Sequence, residues 1–137
     1  MEQIKFFQGE YRWLSNFWYT ESGFNVEVLY QSMKTSNLNE RYMIRKMKPG
    51  AAKRYSHTIK VRPDWDGIKV KIMEKLVLHK FRTDEELKKK LIETGTAELI
   101  EGNTWHDNFW GSCVCEKCGD KGKNILILAV IMKLVWI

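Results

Sequence analysis

The chain has 137 residues, 44% of them apolar and 29% charged, with two prolines and nine glycines. That length accommodates one hydrophobic core, and that balance excludes a disordered tail, a collagen-like repeat or a Pro-rich linker. The net charge is +6, and the excess is local: Arg41, Arg45, Lys46, Lys48, Lys53, Arg54, Lys60 and Arg62 follow one another with no acid between them. Such a block attracts phosphate, in a nucleotide or a nucleic-acid backbone; a solvated basic surface has the same composition, and charge alone does not choose.

The N-terminus lacks the basic head and apolar stretch of a signal peptide, and the apolar run 125–137 is too short to span a bilayer and is interrupted by Lys133. The expectation is a single cytoplasmic domain over residues 1–137. The first 25 residues are aromatic and turn-rich, which predicts short strands, with 4–7 and 17–19 paired. Helical spacing begins at Val26 and predicts helices over 27–37, over 39–47 with Asn39 as N-cap and Pro49-Gly50 as stop, and over 50–57. Pro63 opens the clearest helix, to residue 80, with Ile68, Ile72, Leu76 and His79 along one face and Met73 and Val77 beside them. Thr83-Asp-Glu-Glu86 reads as a capping box for the next helix, whose Leu87, Leu91 and Ile92 precede a Gly95 stop. A Gly- and Trp-rich loop follows residues 97–101, and 124–136, apolar nearly all round, predicts a central helix. The fold class is mainly α (α+β), a small orthogonal helical domain with a short N-terminal β element.

Three groups of residues can carry chemistry. Glu27, Tyr30, Gln31 and Lys34 stand at i, i+3, i+4 and i+7, one face of a helix. That row is either a catalytic strip or a solvated face with a local Glu–Lys pair. Trp105 and Trp110 flank His106, Asp107 and Asn108, an aromatic wall with polar groups that suits a nucleobase or, equally, core filling; Trp18 and Trp136 read as core. Cys113, Cys115 and Cys118, with His106 upstream, offer the ligands of a Cys₃His zinc site, although the Cys-x-Cys step is tighter than the usual Cys-x₂-Cys. An odd, clustered set of cysteines is not a secreted disulfide framework.

Taken together, the motifs resemble the NADAR (YbiA-like) family. Tyr11-Arg-Trp-Leu-Ser-Asn-Phe17 is similar to its Leu-Ser-Asn-Phe signature, and Val26-Glu-Val-Leu-Tyr-Gln-Ser-Met-Lys-Thr35 to its Val-Glu-His-x-Tyr-Gln-Ala-x-Lys-Thr helix. Pro49-Gly-Ala-Ala-Lys-Arg54, Val61-Arg-Pro-Asp-Trp-Asp66 and Lys80-Phe81 resemble its middle blocks. Leu99-Ile-Glu-Gly-Asn-Thr-Trp-His-Asp-Asn-Phe-Trp-Gly111 is the most specific segment, and Gly122-Lys-Asn124 resembles the Gly-x-Asn that opens the last helix.

The resemblance implies an N-glycosidase that cleaves the bond between ribose C1 and a nitrogen, without metal or cofactor. Its substrate would be ADP-ribose on guanine in nucleic acid, or a phosphoribosylamino intermediate of riboflavin synthesis; a non-catalytic ADP-ribose reader and a zinc-dependent nucleic-acid module are the readings of other classes. The implied catalytic residues are Glu27, Lys34 and Asp107. Ser15, Asn16, Phe17, Tyr30 and Gln31 would bind substrate with Trp110, Gly111 and Asn124, and Arg12 and the basic block would meet a pyrophosphate. The expected partner is an ADP-ribosylated nucleic acid or a phosphoribosylated small molecule, with no membrane, for a monomer or weak dimer. The sequence departs from the family pattern at Val28, where histidine is usual, at Ser56-His57, where Gly-Arg is frequent, at Ile127, where glycine is common, and in the Cys-rich stretch after Gly111.

Overall fold

The computed structural model describes residues 3–95, 97–119 and 122–124. They form two compact units, one running from Asn16 to Asp84 and one joining the residues up to Ser15 with those from Glu85 onward. Both are poor in strand, and helices dominate.

The regular elements of the Asn16–Asp84 unit are all helices: α1 (Val26–Ser32), α2 (Leu38–Arg45), α3 (Pro49–Tyr55) and α4 (Trp65–Thr83). Asn25 caps α1, its side-chain oxygen accepting from the Val28 N–H at 3.1 Å. The helix ends at Ser32, where the Ser32 hydroxyl turns back onto the Leu29 carbonyl at 2.7 Å. It therefore stops short of the predicted residue 37, and Lys34 stands on the turn after it. Asn37, not Asn39, caps α2 by accepting from the Glu40 N–H at 3.0 Å. Pro49 opens α3 rather than stopping α2, its missing N–H costing nothing in a first turn.

Helix α1 packs against α2, α3 and α4. Val28 joins Ile44 and Ala52 in one core cluster, with Met47, Tyr55 and Ile59 against it. Burying each larger apolar side chain contributes about 1.5–3 kcal/mol. On α4 the buried row is Trp65, Met73, Val77 and Phe81. The expected face is therefore rotated, for Ile68, Ile72 and Leu76 are half-buried and His79 is exposed. Trp18, expected in the core, is half-buried, and residues 17–19 form a loop rather than a strand.

In the other unit α5 (Glu85–Glu93) buries Leu87 and Leu91 and ends near Gly95, whose φ of +57° is left-handed. No capping box forms: Thr83 is the last residue of α4, and its hydroxyl donates to the His79 carbonyl at 2.7 Å. Four two-residue strands pair in parallel. They are β1 (Gln3–Ile4) with β2 (Glu98–Leu99), and β3 (Gly102–Asn103) with β4 (Ser112–Cys113). The N-terminal strand thus pairs with a segment 95 residues along the chain rather than with 17–19. The predicted last helix lies outside the described residues but for Asn124, and Trp136 lies outside them altogether. Among the described residues no helix is long and apolar enough to cross a membrane.

Candidate active site

Three helices surround α1, so its polar row is buried rather than solvated. Glu27 is 6% exposed and Gln31 3%. Burying a carboxylate is costly unless hydrogen bonds stabilise it. Gln31 Nε2 donates to Glu27 Oε1 at 2.7 Å, the i,i+4 contact that the helix geometry sets up. The same amide then points its own Oε1 into the protein, where it is buried and finds no hydrogen-bond partner among the described residues. A buried acceptor of this kind costs about 1–3 kcal/mol and is filled when a donor arrives.

Lys34 follows on the turn, with its Nζ 3.5 Å from Ser56 Oγ and 5.7 Å from the centre of the Tyr30 ring. Ser56 is itself buried, and its hydroxyl donates to the Lys53 carbonyl at 2.7 Å. Burial pushes the Lys34 ammonium below the ordinary lysine range; the Glu27 carboxylate opposes that shift, while Lys53 and Lys69 add to it. An amine so placed is a stronger acid than free lysine and more readily a nucleophile. Tyr30 is buried and packs its ring against Trp65 at 5.0 Å between centroids, which holds the ring in place beside Lys34.

Asn16 and Phe17 belong to the same unit. The Asn16 carbonyl accepts from the Glu27 N–H at 3.1 Å and its amide reaches Met73 Sδ at 3.5 Å, so it anchors the start of α1. Phe17 exposes its ring, with Lys53 Nζ 5.9 Å from its centre. Of the basic block, Arg62 forks onto Asp64 at 2.6 and 3.0 Å and Arg41 donates to the Thr35 carbonyl at 2.6 Å, which leaves neither side chain directed wholly to solvent. Arg45, Lys46, Lys48, Arg54 and Lys60 are exposed.

The remaining expected site residues lie in the other unit, and several have structural work there. Arg12 is exposed and donates to the Gly9 carbonyl at 3.1 Å; Ser15, half-buried, ends the 3-10 helix Gly9–Leu14, its N–H donating to the Arg12 carbonyl. Asp107 Oδ1 accepts from the N–H groups of Phe109 and Trp110 at 3.2 and 3.0 Å, and its own N–H and carbonyl pair with the Asn103 side chain. Trp110 stands edge-on to Phe109 at 4.7 Å. Gly111 is required sterically, since a Cβ there would run into the Glu101 carbonyl oxygen. Asn124 spends its side chain on the backbone, accepting from the Glu101 N–H at 3.1 Å and donating to the Leu99 carbonyl at 2.7 Å. Sequence reasoning passed over Ser56 as a partner for Lys34 and Trp65 as a partner for Tyr30. No spacing links those pairs, which are 22 and 35 residues apart.

Residues 5–132 match the NADAR domain family. The chain belongs to the NADAR domain family. Its NADAR fold is similar to the NMR structure of the Escherichia coli protein YbiA, with a TM-score of 0.77 and 26% identity, covering 98% of this chain and 86% of that one. Among curated NADAR relatives, an N-glycosidase of Nostoc punctiforme is 42% identical over 62 residues, 45% of this chain and 38% of the relative. The E. coli N-glycosidase YbiA is 35% identical over 66 residues, 48% of this chain and 38% of the relative. A chloroplastic riboflavin biosynthesis protein of Arabidopsis thaliana is 41% identical over 51 residues, 37% of this chain and 8% of that protein. The chain thus spans under two-fifths of the length of the curated relatives it matches.

Proposed function

We propose that this chain hydrolyses an N-glycosidic bond at ribose C1, and that its substrate is ADP-ribose attached to guanine in nucleic acid. The observation that carries the reading is the buried Glu27 carboxylate, held by Gln31 at 2.7 Å on a helix of a NADAR domain whose relatives are named N-glycosidases. A ribosyl C1 that loses its nitrogen gains oxocarbenium character, and a desolvated carboxylate is the group that stabilises it.

In this mechanism the C1–N bond breaks with its electron pair going to the departing nitrogen. The Lys34 ammonium, its proton loosened by burial, protonates that nitrogen. Water attacks C1, and Glu27 takes the proton the water loses; transfer from Glu27 to Lys34 restores both groups. The partnerless Gln31 Oε1 accepts a hydrogen bond from a substrate hydroxyl or N–H. Arg45, Lys46, Lys48, Arg54 and Lys60 on and after α2 and α3 supply a wide positive surface, which suits a polyanionic substrate better than a single phosphate.

The name of the Arabidopsis relative supports a second reading, hydrolysis of a phosphoribosylamino intermediate of riboflavin synthesis. One comparison separates the two: turnover of an oligonucleotide ADP-ribosylated on guanine and of the riboflavin intermediate, each at rising salt. The proposal predicts turnover of the oligonucleotide that falls steeply with salt. Turnover of the small molecule alone, insensitive to salt, favours the second reading.

A further inference from the structure

The loop before β4, β4 itself and the turn after it bring together a side-chain cluster that glycosidic chemistry does not use. His106 Nδ1 lies 3.3 Å from Cys118 Sγ, 3.5 Å from Cys115 Sγ and 3.8 Å from Cys113 Sγ. All four atoms fall within 4.8 Å of one another. One ring nitrogen is a single donor or a single acceptor, so it cannot hydrogen-bond all three sulfurs that surround it. A tetrahedral zinc site accounts for their convergence. Zn–S bonds of about 2.3 Å and a Zn–N bond of about 2.0–2.1 Å require S···S edges of about 3.8 Å and S···N edges of about 3.6 Å. The three S···N distances straddle that value.

We propose that His106, Cys113, Cys115 and Cys118 bind one zinc ion in a structural Cys₃His site. The backbone around them is built for it. His106 adopts φ +67°, a left-handed conformation that a non-glycine residue pays for in strain of about 1 kcal/mol and that turns its ring toward the cysteines. Cys115-Glu-Lys-Cys118-Gly119 forms a tight turn in which the Cys118 N–H points at Cys115 Sγ at 3.4 Å. The Gly119 N–H closes that turn on the Cys115 carbonyl at 2.9 Å, with Gly119 at φ +64°. An amide aimed at a ligand sulfur balances the negative charge of a metal thiolate. Cys113 is fully buried on β4, paired through its N–H to Asn108 Oδ1 at 2.8 Å, so one ligand is anchored in the strand pair while the turn brings the others to it.

Three thiolates and an imidazole select zinc over the hard cations, which prefer oxygen. Four protein ligands fill a tetrahedron and leave no open position for water, so the ion is structural rather than catalytic. Its effect is on the loop. Zinc ties residue 106 to residues 113–118 and so fixes the turn through Asp107, Asn108 and Trp110 that lies between them.

The test is metal content and cobalt spectroscopy on the full chain purified with reductant. One zinc per chain is expected. After removal of zinc with a chelator, Co²⁺ added stoichiometrically should give the intense d–d and thiolate charge-transfer bands of a tetrahedral sulfur-rich site, and Zn²⁺ should abolish them. Chelation should also lower the midpoint of thermal unfolding, and Cys118→Ser should lose stoichiometric zinc retention. The wild-type cobalt spectrum decides the matter even where Cys118→Ser fails to fold. Reduced wild-type chain that retains no zinc and gives no such bands would overturn the proposal, as would iron in place of zinc.

Discussion

Gln31→Leu separates what the buried amide does for the fold from what it does for substrate. Gln31 makes a charge-assisted hydrogen bond to Glu27 Oε1 at 2.7 Å, and it leaves its own Oε1 buried and partnerless. The first feature stabilises by about 1.5–3 kcal/mol and the second costs about 1–3 kcal/mol. Leucine of similar volume removes both but takes a donor from the buried Glu27 carboxylate, so the terms offset only in part and the variant should lose about 1.5 kcal/mol of stability. For a chain of this size that is a shift of roughly 3–6 °C in the unfolding midpoint. The substrate, in contrast, loses an acceptor. Its unpaired donor should weaken transition-state binding by about 1–3 kcal/mol, roughly 5–150-fold in kcat/KM. Thermal unfolding and steady-state turnover of wild type and variant read the two effects separately. A variant that melts within a few degrees of wild type yet turns over unchanged would refute the role given to the partnerless oxygen. A loss of more than about 4 kcal/mol of stability would refute the offset.

Lys34→Met should abolish turnover while leaving the chain as stable as wild type, or more so, near neutral pH. The sign follows from the lowered pKa of Lys34, whose causes are burial, opposed by Glu27 and reinforced by Lys53 and Lys69. Below the folded-state pKa, Lys34 is charged in both states and its burial cost is present in full. Between that pKa and the unfolded value near 10.5 the native state holds fewer protons, so wild type gains stability as pH rises. The stability gap between variant and wild type should therefore narrow toward alkaline pH in denaturant titrations. A variant less stable at neutral pH, by an amount that pH does not change, contradicts this account. For Asp107, whose Oδ1 receives two backbone N–H groups, Asp107→Asn keeps the acceptor and should leave loop order near wild type, while Asp107→Ala should lose that order and about 1–3 kcal/mol of stability. Equal loss of loop order in both variants, read by NMR, would contradict the acceptor role given to Asp107 Oδ1.

Local chemistry made much of this molecule legible in its sequence. The i, i+3, i+4 spacing put Glu27, Tyr30 and Gln31 on one face, and the clustering of Cys113, Cys115 and Cys118 in sequence is matched by their side chains meeting at His106. Whether the Glu27 row was buried could not be read there, because its polar composition matches a solvated face; burial comes from α2, α3 and α4 packing round α1. Lys34 fell off the predicted helix because Ser32 offers its hydroxyl to the Leu29 carbonyl and helps end α1 early. Thr83 failed as a cap because it is still inside α4, with its hydroxyl on the His79 carbonyl. The parallel pairing of Ile4 with Leu99 joins chain segments too distant for turn signals to report. The left-handed backbone of His106 has only a weak signature in residue type, since histidine enters that region more often than most side chains but still rarely.

The central claim is that Glu27 is the carboxylate that drives C1–N cleavage. Glu27→Gln keeps an oxygen for the Gln31 Nε2 donor and removes only the charge, so the fold and substrate binding should survive. Mass spectrometry of a guanine-ADP-ribosylated oligonucleotide should show ADP-ribose released by wild type, and release by Glu27→Gln slowed by about 100-fold or more. Release at comparable rates by both proteins, or by neither, would contradict the account.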